Sequence, residues 1–217
     1  MISHLYINFQ HWGEEGRIWL YSDPHFGDAE AADFRKYHIS DEEQIKRINS
    51  KVGKKDAIVF LGDIGNIECI KKIKGYKILI KGNHDRGSSK YLKELYFTYK
   101  NGDKIERVSK DKENWALEQL INGDGKVRVK DTGLFDEVYD GPLTISSKII
   151  LSHEPLGINN MLNIHGHDHS GWYKADNAIN CCAELIDYTP ISLDDIVKSG
   201  KLNKIPDVHR NVIDACK

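Results

Sequence analysis

Five short segments of the chain carry carboxylate, imidazole and amide side chains at spacings that suit metal ligation. Six of the ten histidines fall within them. The segments are Asp23-Pro24-His25, Gly62-Asp63, Gly82-Asn83-His84-Asp85, His153-Glu154 and His165-Gly166-His167-Asp168-His169. Each segment alone is common, because Gly-Asp and Gly-Asn are also turn sequences and a lone histidine is more often a core or surface residue. Together, and in this order, they indicate one site.

The number and type of these side chains favour two metal ions over one. The candidate ligands are Asp23, His25, Asp63, Asn83, His153, His167 and His169. A tetrahedral ion takes about four ligands, so this set fits two ions that share a carboxylate. Oxygen and imidazole donors suit manganese, which we favour, or iron, zinc or nickel. A zinc-stabilised structural domain does not fit, because the ligands are too many and no Cys-x-x-Cys pair is present.

A pair of metal ions is suited to hydrolysis at phosphorus. Two ions about 3.5–4 Å apart bind phosphate oxygens and lower the pKa of a bridging water from about 16 toward 7. The bridging hydroxide can then attack phosphorus directly, with no covalent enzyme intermediate. The sequence therefore predicts a hydrolase that acts on phosphate esters.

Short apolar runs precede the segments and are predicted to be the strands that position them. They span residues 17–22, 57–61, 76–80, 148–151 and 161–164. These runs are rich in Ile, Val and Leu and are too short for helices. Strands that alternate with helical segments predict an α/β architecture. In such sheets ligands bind beyond the carboxyl ends of the strands, which is where all five segments lie.

Helix signals occur between and after these strands. A capping box begins at Ser40 and precedes apolar residues at helical spacing, and Gly53 ends the segment. Isoleucines recur every third residue from 67 to 73, and a last helix is predicted to begin after Ser192 and to end at Gly200. These apolar stripes are interpreted as core faces rather than as sites.

The stretch from about residue 88 to residue 129 is predicted to be a helical insertion in a single domain over residues 1–217. Turn signals lie at residues 101–103 and 122–125, and Trp115 to Ile121 between them has the pattern of an amphipathic helix. The insertion begins just beyond Asp85, so it could cover the site. A surface decoration is the other interpretation.

Composition limits the class of protein. The net charge is −2 and the pI is about 6.5, so no broad basic surface for nucleic acid is indicated, although a local basic patch stays open. The sequence contains no apolar run of about 18 residues, which is the length that would predict a membrane helix. The first residues lack the pattern of a signal peptide, and we expect a cytoplasmic protein with reduced cysteines in packing roles. Oligomeric state is not predicted.

The five segments resemble the motifs of the calcineurin-like metallophosphoesterase superfamily. The likeness is closest to its small bacterial and phage phosphoesterases, which share Ser22-Asp23-x-His25-Phe26-Gly27 and similar stretches at residues 136–142, 151–155 and 188–193. The resemblance implies a four-layer αββα sandwich of two mixed sheets flanked by helices. It also implies a small phosphate ester as the partner, with phosphodiesters or nucleotides favoured. A phosphomonoesterase, or a non-catalytic scaffold of the same fold, is the alternative.

The resemblance also implies a role for each matching residue. One metal ion would be held by Asp23, His25 and His169, and the other by Asn83, His153 and His167. Asp63 would bridge the two ions. His84 would protonate the leaving oxygen or stabilise charge in the transition state, and Asp85 would orient His84.

Five other residues have weaker signals. Pro24 is unusual between the first two ligands and is expected to keep Asp23 extended. Arg86 could contact a phosphate oxygen or face solvent, and His165 is interpreted as a supporting or core histidine. Phe26 and Trp172 could stack on a base, although burial near the mouth of the site is the plainer interpretation.

Overall fold

The computed structural model describes residues 11–35, 37–86, 91, 94–102, 105–108, 112–130 and 134–206. Its strands are β1 (Ile18–Tyr21), β2 (Ala57–Phe60), β3 (Tyr76–Ile80), β4 (Glu94–Tyr99), β5 (Ile105–Val108), β6 (Gly125–Lys130), β7 (Glu137–Tyr139), β8 (Leu143–Ser146), β9 (Ile149–Leu151), β10 (Leu162–His165), β11 (Ala178–Asn180) and β12 (Ile191–Ser192). Its α-helices are α1 (Ala31–Phe34), α2 (Asp41–Lys51), α3 (Glu113–Ile121) and α4 (Leu193–Lys198). Short 3₁₀ helices span His11–Gly13, Ile67–Lys72, Ala183–Ile186 and Lys201–Lys204.

Two mixed sheets form the centre of the fold, as predicted. The first has the order β12-β1-β2-β3-β7 and is parallel except for β12. The second has the order β11-β10-β9-β8 and is parallel except for β8. All five predicted strands are confirmed within one or two residues at each end. The predicted two-sheet α/β sandwich is therefore confirmed.

Side chains that alternate along the first sheet build two separate cores. Leu20, Val59 and Ile78 face the second sheet and pack with its Leu151 and Ile164. The opposite face carries Trp19, Tyr21, Ile58, Phe60 and Leu79, which pack against α2 and the 3₁₀ helix at Ile67–Lys72. Because strands buried on both faces read as continuous apolar runs, these strands were detectable from sequence.

Helix α2 forms where the capping box predicts it. The Ser40 hydroxyl accepts a hydrogen bond from the Glu43 backbone N–H at 3.2 Å, which satisfies one of the free donors of the first turn. Ile45 and Ile48 are buried against the first sheet. Val52 is already extended, so the helix ends just before Gly53 as predicted.

The insertion differs from its predicted helical character. Among its described residues, only α3 is an α-helix, and it includes the amphipathic segment from Trp115 to Ile121. The rest is a three-stranded antiparallel sheet of order β5-β4-β6. The alternation of Lys and Arg with Val127 and Val129 is a strand signal that the polar composition concealed. The ring of Trp115 packs on Phe97 of β4, with ring centroids 5.2 Å apart.

The helical layers on the two sides are unequal. The first sheet is covered by α2, whereas α4 packs at its β12 edge and closes the core between the sheets. On the outer face of the second sheet, the fully buried Asn163 accepts a hydrogen bond from the backbone N–H of Leu156 in the loop after β9. Among the described residues, none of the helices combines the length and apolar character that a membrane-spanning helix requires.

Candidate metal centre

The carboxyl ends of five strands converge on one side of the molecule. Because β1, β2 and β3 are parallel neighbours, the loops that follow them bring Asp23, Asp63 and Asn83 together. The second sheet contributes His153 after β9 and the two ligand histidines of the loop after β10. The strand-end rule thus accounts for all seven predicted ligands.

Asp23, His25 and His169 form the first group of donors. One ligand atom from each lies within 4.8 Å of the others. The Asp23 Oδ1 atom is 3.5 Å from His169 Nε2 and 3.9 Å from His25 Nε2. Asp23 is fully buried, and its Oδ1 atom accepts no hydrogen bond. A buried carboxylate oxygen without a donor is costly, so this group fits a cation between its members.

Asp63, His153 and His167 form the second group, and Asn83 lies beside them. The His153 Nε2 atom is 2.8 Å from Asn83 Oδ1, 3.1 Å from His167 Nδ1 and 3.3 Å from Asp63 Oδ2. His153 Nδ1 contacts the Leu61 carbonyl oxygen at 2.7 Å. This contact orients the ring so that Nε2 points at the other donors.

Asp63 faces both groups with the same oxygen. Its Oδ2 atom is 3.8 Å from His25 Nε2 in the first group and 3.3 Å from His153 Nε2 in the second. Its Oδ1 atom instead accepts the backbone N–H of His84 at 2.9 Å. The carboxylate therefore lies between the two groups, which fits the bridging role that the resemblance implies for it.

The charges of the site are tightly coupled. Burial raises the pKa of Asp63, but the hydrogen bond and positive charge of His153 outweigh it and hold that pKa below its usual range. Burial lowers the pKa of His153, yet Asp63 and Asp23 raise it to about 9. Burial also lowers the pKa of His25 despite Asp23. A cation between these groups requires neutral imidazoles and would take over the role of the proton on His153.

Four of the predicted ligands have a backbone conformation that residues other than glycine rarely adopt. The φ angles are 54° at Asp23, 44° at His25, 54° at Asp63 and 66° at His167. Such residues cost about 1–3 kcal/mol each and persist only where their surroundings enforce them. Here the backbone N–H of Asp23 donates to Gly62 O at 3.1 Å and that of His25 to Asp63 O at 3.0 Å.

The expectation that Pro24 keeps Asp23 extended is wrong. Asp23 is left-handed because hydrogen bonds from outside its own segment hold it there. The buried Arg35 also stabilises this conformation, since its Nη2 atom donates a hydrogen bond to the Asp23 carbonyl oxygen at 2.5 Å. The local preference of a residue before proline is weak compared with these contacts.

His84 and Asp85 have different roles from each other. His84 is exposed at the site, and its ring centroid is 5.7 Å from that of His25. Asp85 is buried, and its carboxylate accepts the backbone N–H groups of Gly82 at 2.9 Å and Asp63 at 2.8 Å. No hydrogen bond joins Asp85 to the His84 ring among the described residues. The prediction that Asp85 orients His84 is thus corrected, because this carboxylate instead ties two ligand loops together.

Glu184 and Arg35 support the first group and were not found from sequence. Glu184 Oε1 is 2.6 Å from His169 Nδ1, and Glu184 Oε2 is 3.7 Å from Arg35 Nε. Both side chains are completely buried. The carboxylate fixes the tautomer and direction of His169. No spacing signal marks these residues, since Arg35 follows α1 and Glu184 lies in a 3₁₀ helix after β11.

Cys182 is the nearest thiol to the ligands. Its Sγ atom is 3.4 Å from Asp23 Oδ2 and lies in a group with His169 and Glu184. Burial and the charge of Asp23 raise the pKa of the thiol far above its ordinary value. Cys182 therefore remains a protonated hydrogen-bond donor, which agrees with the predicted packing role of the cysteines.

The remaining four weaker predictions have different outcomes. His165 is fully buried, with Nδ1 2.8 Å from the Gly166 carbonyl oxygen, so it is a core histidine. Phe26 is 1% exposed and packs in the core, which excludes it as a stacking surface. Trp172, in contrast, is 82% exposed. Arg86 is exposed to solvent.

Comparison with known proteins gives three findings. A family model described as calcineurin-like phosphoesterase matches residues 16–195. The uncharacterized protein MJ1445 of Methanocaldococcus jannaschii is 26% identical over 209 residues, which cover 87% of this chain and 94% of that protein. The crystal structure of the protein of unknown function AQ665 from Aquifex aeolicus matches with a TM-score of 0.53 and 21% identity, over 84% of this chain and 98% of that one. This last similarity supports the fold alone.

Proposed function

The chain belongs to the calcineurin-like phosphoesterase family, and from this premise we propose that it hydrolyses small phosphodiesters, nucleotide-type esters among them. The family is that of metal-dependent phosphoesterases, and the two groups of donors fit such chemistry. The five motifs found in the sequence led to the same superfamily, which the family match confirms. Which phosphate esters this chain accepts as substrates depends on the space around the proposed ligands.

Two cavities that meet at His25 and His84 carry the proposal. One has a volume of about 560 Å³ and extends past His167 and His169 toward Trp172. The other has about 530 Å³ and extends past Asp28 and Asn66 toward Tyr91. A phosphate at the junction would have room for one ester group on each side. A monoester would fill only one of these spaces.

The lining of the cavities also favours a diester. Among the described residues that line either cavity there is no lysine and no arginine. A monoester presents a phosphate dianion, for which arginine and lysine are the usual protein donors. A diester carries one negative charge, and two metal ions suffice to neutralise it.

In the proposed mechanism, one ion would be held by Asp23, His25 and His169. The other ion would be held by Asn83, His153 and His167, and Asp63 would bind both ions. Manganese is the ion we propose for these oxygen and imidazole donors. The ions supply charge stabilisation and a nucleophile at neutral pH when they are bound.

His84 supplies the proton in this mechanism. Its ring lies at the junction of the cavities, where the departing ester oxygen must leave. Donation of a proton to that oxygen lowers the barrier most when the alcohol is a poor leaving group. Asp63 Oδ1 accepts the backbone N–H of His84, and the Asp85 carboxylate accepts that of Gly82 in the same loop, so both contacts help to position His84.

The test compares bis-p-nitrophenyl phosphate with p-nitrophenyl phosphate in Mn²⁺, Ni²⁺ and Zn²⁺, with metal content measured on the same sample. We expect two ions per chain and faster turnover of the diester. The Asp63→Asn variant should lose metal and nearly all activity, since both groups depend on that carboxylate. Faster turnover of the monoester would overturn the diester assignment, and absence of turnover with both ions bound would favour the scaffold alternative.

A further inference from the structure

The larger of the two cavities ends in an apolar wall that the hydrolytic chemistry does not use. Its lining runs from His84 and His169 at the ligand end to Pro155, Trp172 and Tyr173 at the other. Pockets for nucleotide-sized ligands have volumes of about 300–1,000 Å³. The volume of about 560 Å³ therefore exceeds what a phosphate group alone requires.

Trp172 is the exposed aromatic group of this wall. The side chain is 82% exposed, the largest value among the exposed large hydrophobic residues described. A tryptophan ring in water is unfavourable, and an exposed aromatic group beside a catalytic cleft marks a contact surface. By contrast, Tyr173 is partly buried, its ring lies 5.7 Å from that of His165, and its hydroxyl donates to Leu156 O.

The loop that carries Trp172 is fixed to the ligand segment. Asp168 accepts the backbone N–H of Tyr173 at 2.6 Å and the hydroxyl of Ser170 at 2.6 Å. The Ser170 hydroxyl in turn accepts the Trp172 backbone N–H at 3.2 Å, and Asn180 holds the Asp168 carbonyl at 2.7 Å. Trp172 is only three residues from the ligand His169, so its backbone has a defined position relative to the ligands.

From this geometry we propose that Trp172 is a stacking platform for the planar base of a nucleotide-type substrate, an inference that rests on the proposed function. A flat ring with an open face suits a heterocyclic base, because stacking needs one aromatic surface. A quaternary ammonium group would instead need several aromatic faces around it, and here Tyr173 is occupied by its own contacts. Trp172 would thus determine specificity without taking part in the chemical step.

The test measures the binding of thymidine 5′-monophosphate and ribose 5-phosphate to the manganese-loaded protein. Both ligands are pentose 5-phosphates, the first with 2-deoxyribose and the second with ribose, and only the first has a base. Each is measured as a competitive inhibitor of ethyl p-nitrophenyl phosphate hydrolysis. Binding is also measured by quenching of tryptophan fluorescence, which should report chiefly on Trp172. Trp12 and Trp19 are buried, and Trp115 packs on Phe97 and lines neither cavity.

We expect Trp172→Ala to weaken the binding of thymidine 5′-monophosphate by about 5- to 100-fold, with ribose 5-phosphate changed by less than about twofold. Trp172→Phe should retain most of the affinity but lose the quenching. Ile121→Ala removes another exposed apolar side chain, 76% exposed on α3, and should change neither ligand. Melting temperatures should be unchanged in all three variants, since both side chains are exposed.

Three results would overturn the platform: equal weakening of both ligands in Trp172→Ala, unchanged affinity for thymidine 5′-monophosphate, or Trp172-dependent binding of phosphocholine in its place. Failure of the proposed function gives a different pattern. If the protein hydrolyses esters but shows no preference for the base, only the platform fails. If it hydrolyses no ester while the nucleotide still quenches Trp172, the platform stands and the proposed function fails.

Discussion

Asp63 is the residue through which the two groups of donors are coupled. Its Oδ2 atom faces an imidazole of each group, and its Oδ1 atom holds the backbone of His84. One side chain therefore links metal binding to the position of the proposed acid. His84 itself belongs to neither group of donors, so its proposed role as the acid can be tested separately from metal binding.

Replacement of His84 tests that separation. In His84→Ala both ions should remain bound, while turnover should fall by about 10²–10⁴-fold. The loss should be larger for an alkyl ester than for a p-nitrophenyl ester, because the poorer leaving group needs the proton more. Metal content and kcat for both esters are measured, with His38→Ala, an exposed histidine outside the site, as the control. Loss of metal together with turnover would make His84 a ligand and not an acid.

Glu184 offers a second prediction at the level of single residues. Glu184→Ala should weaken metal binding to the first group by about 10- to 100-fold, because His169 loses the carboxylate that orients it. Glu184→Gln keeps an acceptor for the His169 N–H and should lose less. Affinity is measured by competition with a chelating dye. The control is Glu68→Ala, an exposed glutamate paired with Lys71. Unchanged affinity in Glu184→Ala would show that His169 is oriented without it.

The clustering of the proposed ligands was predictable from sequence, but the residues that support them were not. Asp23, His25 and the other ligands follow apolar runs, and the strand-end rule places them together. Arg35 and Glu184 act on those ligands through contacts between loops, which leave no periodic trace in the sequence. The role of Asp85 was misjudged for a related reason. Its neighbour along the chain is His84, whereas its hydrogen-bond partners are backbone groups of two loops.

At the level of elements, the close approach of two loops makes Gly166 essential. A Cβ atom at this position would lie 1.8 Å from Ser22 Oγ and 2.2 Å from Asp23 Oδ2. Gly166→Ala should therefore displace Asp23, weaken metal binding and destabilise the fold by about 1–3 kcal/mol. Metal content and urea unfolding measure both effects. Gly157→Ala is the matched control, because no atom lies within 4 Å of its added Cβ. Normal metal binding in Gly166→Ala would mean that the two loops can move apart without displacing Asp23.

Glu137 stabilises the edge strand β7 through its side-chain contacts. Its carboxylate accepts hydrogen bonds from Trp12 Nε1 at 3.0 Å and Tyr76 Oη at 2.8 Å, and also from Tyr139, and it pairs with His11 at 2.5 Å. Burial raises the pKa of Glu137, but these donors outweigh it and hold that pKa below its usual range. The charged form is therefore the one that stabilises the fold.

Glu137→Gln should lower the free energy of unfolding by about 1–2 kcal/mol at pH 7. Since the pKa is lowered on folding, this advantage of the wild type is present above the unfolded pKa of about 4.3 and is lost as the pH falls through the lower folded pKa. Urea unfolding at pH 7 and below pH 4 measures the difference. Glu15→Gln, an exposed glutamate, is the control. A difference that grows in acid would contradict this sign.

The elements found from sequence are those with the strongest apolar patterns. Strands β1, β2 and β3 are buried on both faces and were predicted nearly to the residue. Strands β7, β8 and β11 are only partly buried, so they lack the continuous apolar run that marked β9, a strand of similar length. The insertion was assigned from its one amphipathic helix, and its strands were overlooked because their composition is polar.

At the scale of the whole molecule, the insertion is largely separate from the site. Its strands pair with one another, and α3 packs on β6. Of its described residues, only Tyr91 lines one of the cavities, and none from 94 to 130 does. The backbone N–H of Phe135 donates to Tyr91 O at 2.9 Å, so the chain enters and leaves the insertion at adjacent points. This arrangement favours the surface decoration over a cover for the site.

Replacement of residues 94–130 by a short Gly-Ser linker should thus leave both metal ions bound. Turnover of bis-p-nitrophenyl phosphate should be little changed, because loops that close between adjacent points tolerate changes of length. Metal content and kcat/KM measure the outcome. Tyr91→Phe is the companion variant, since the Tyr91 hydroxyl donates to Asp85 Oδ1 at 3.3 Å. Loss of metal in the deletion but not in Tyr91→Phe would show that the insertion supports the ligand loops.

The first group of donors joins the beginning of the described chain to a point near its end. Asp23 and His25 follow β1, whereas His169 follows β10. On the ribosome, the early ligands emerge long before the late one is translated. As a proposed metal site, the complete group would not capture an ion until residue 169 had left the exit tunnel. Metal loading at this group would then be a late step of biosynthesis, and a nascent chain interrupted before that residue would not bind metal there in the native manner.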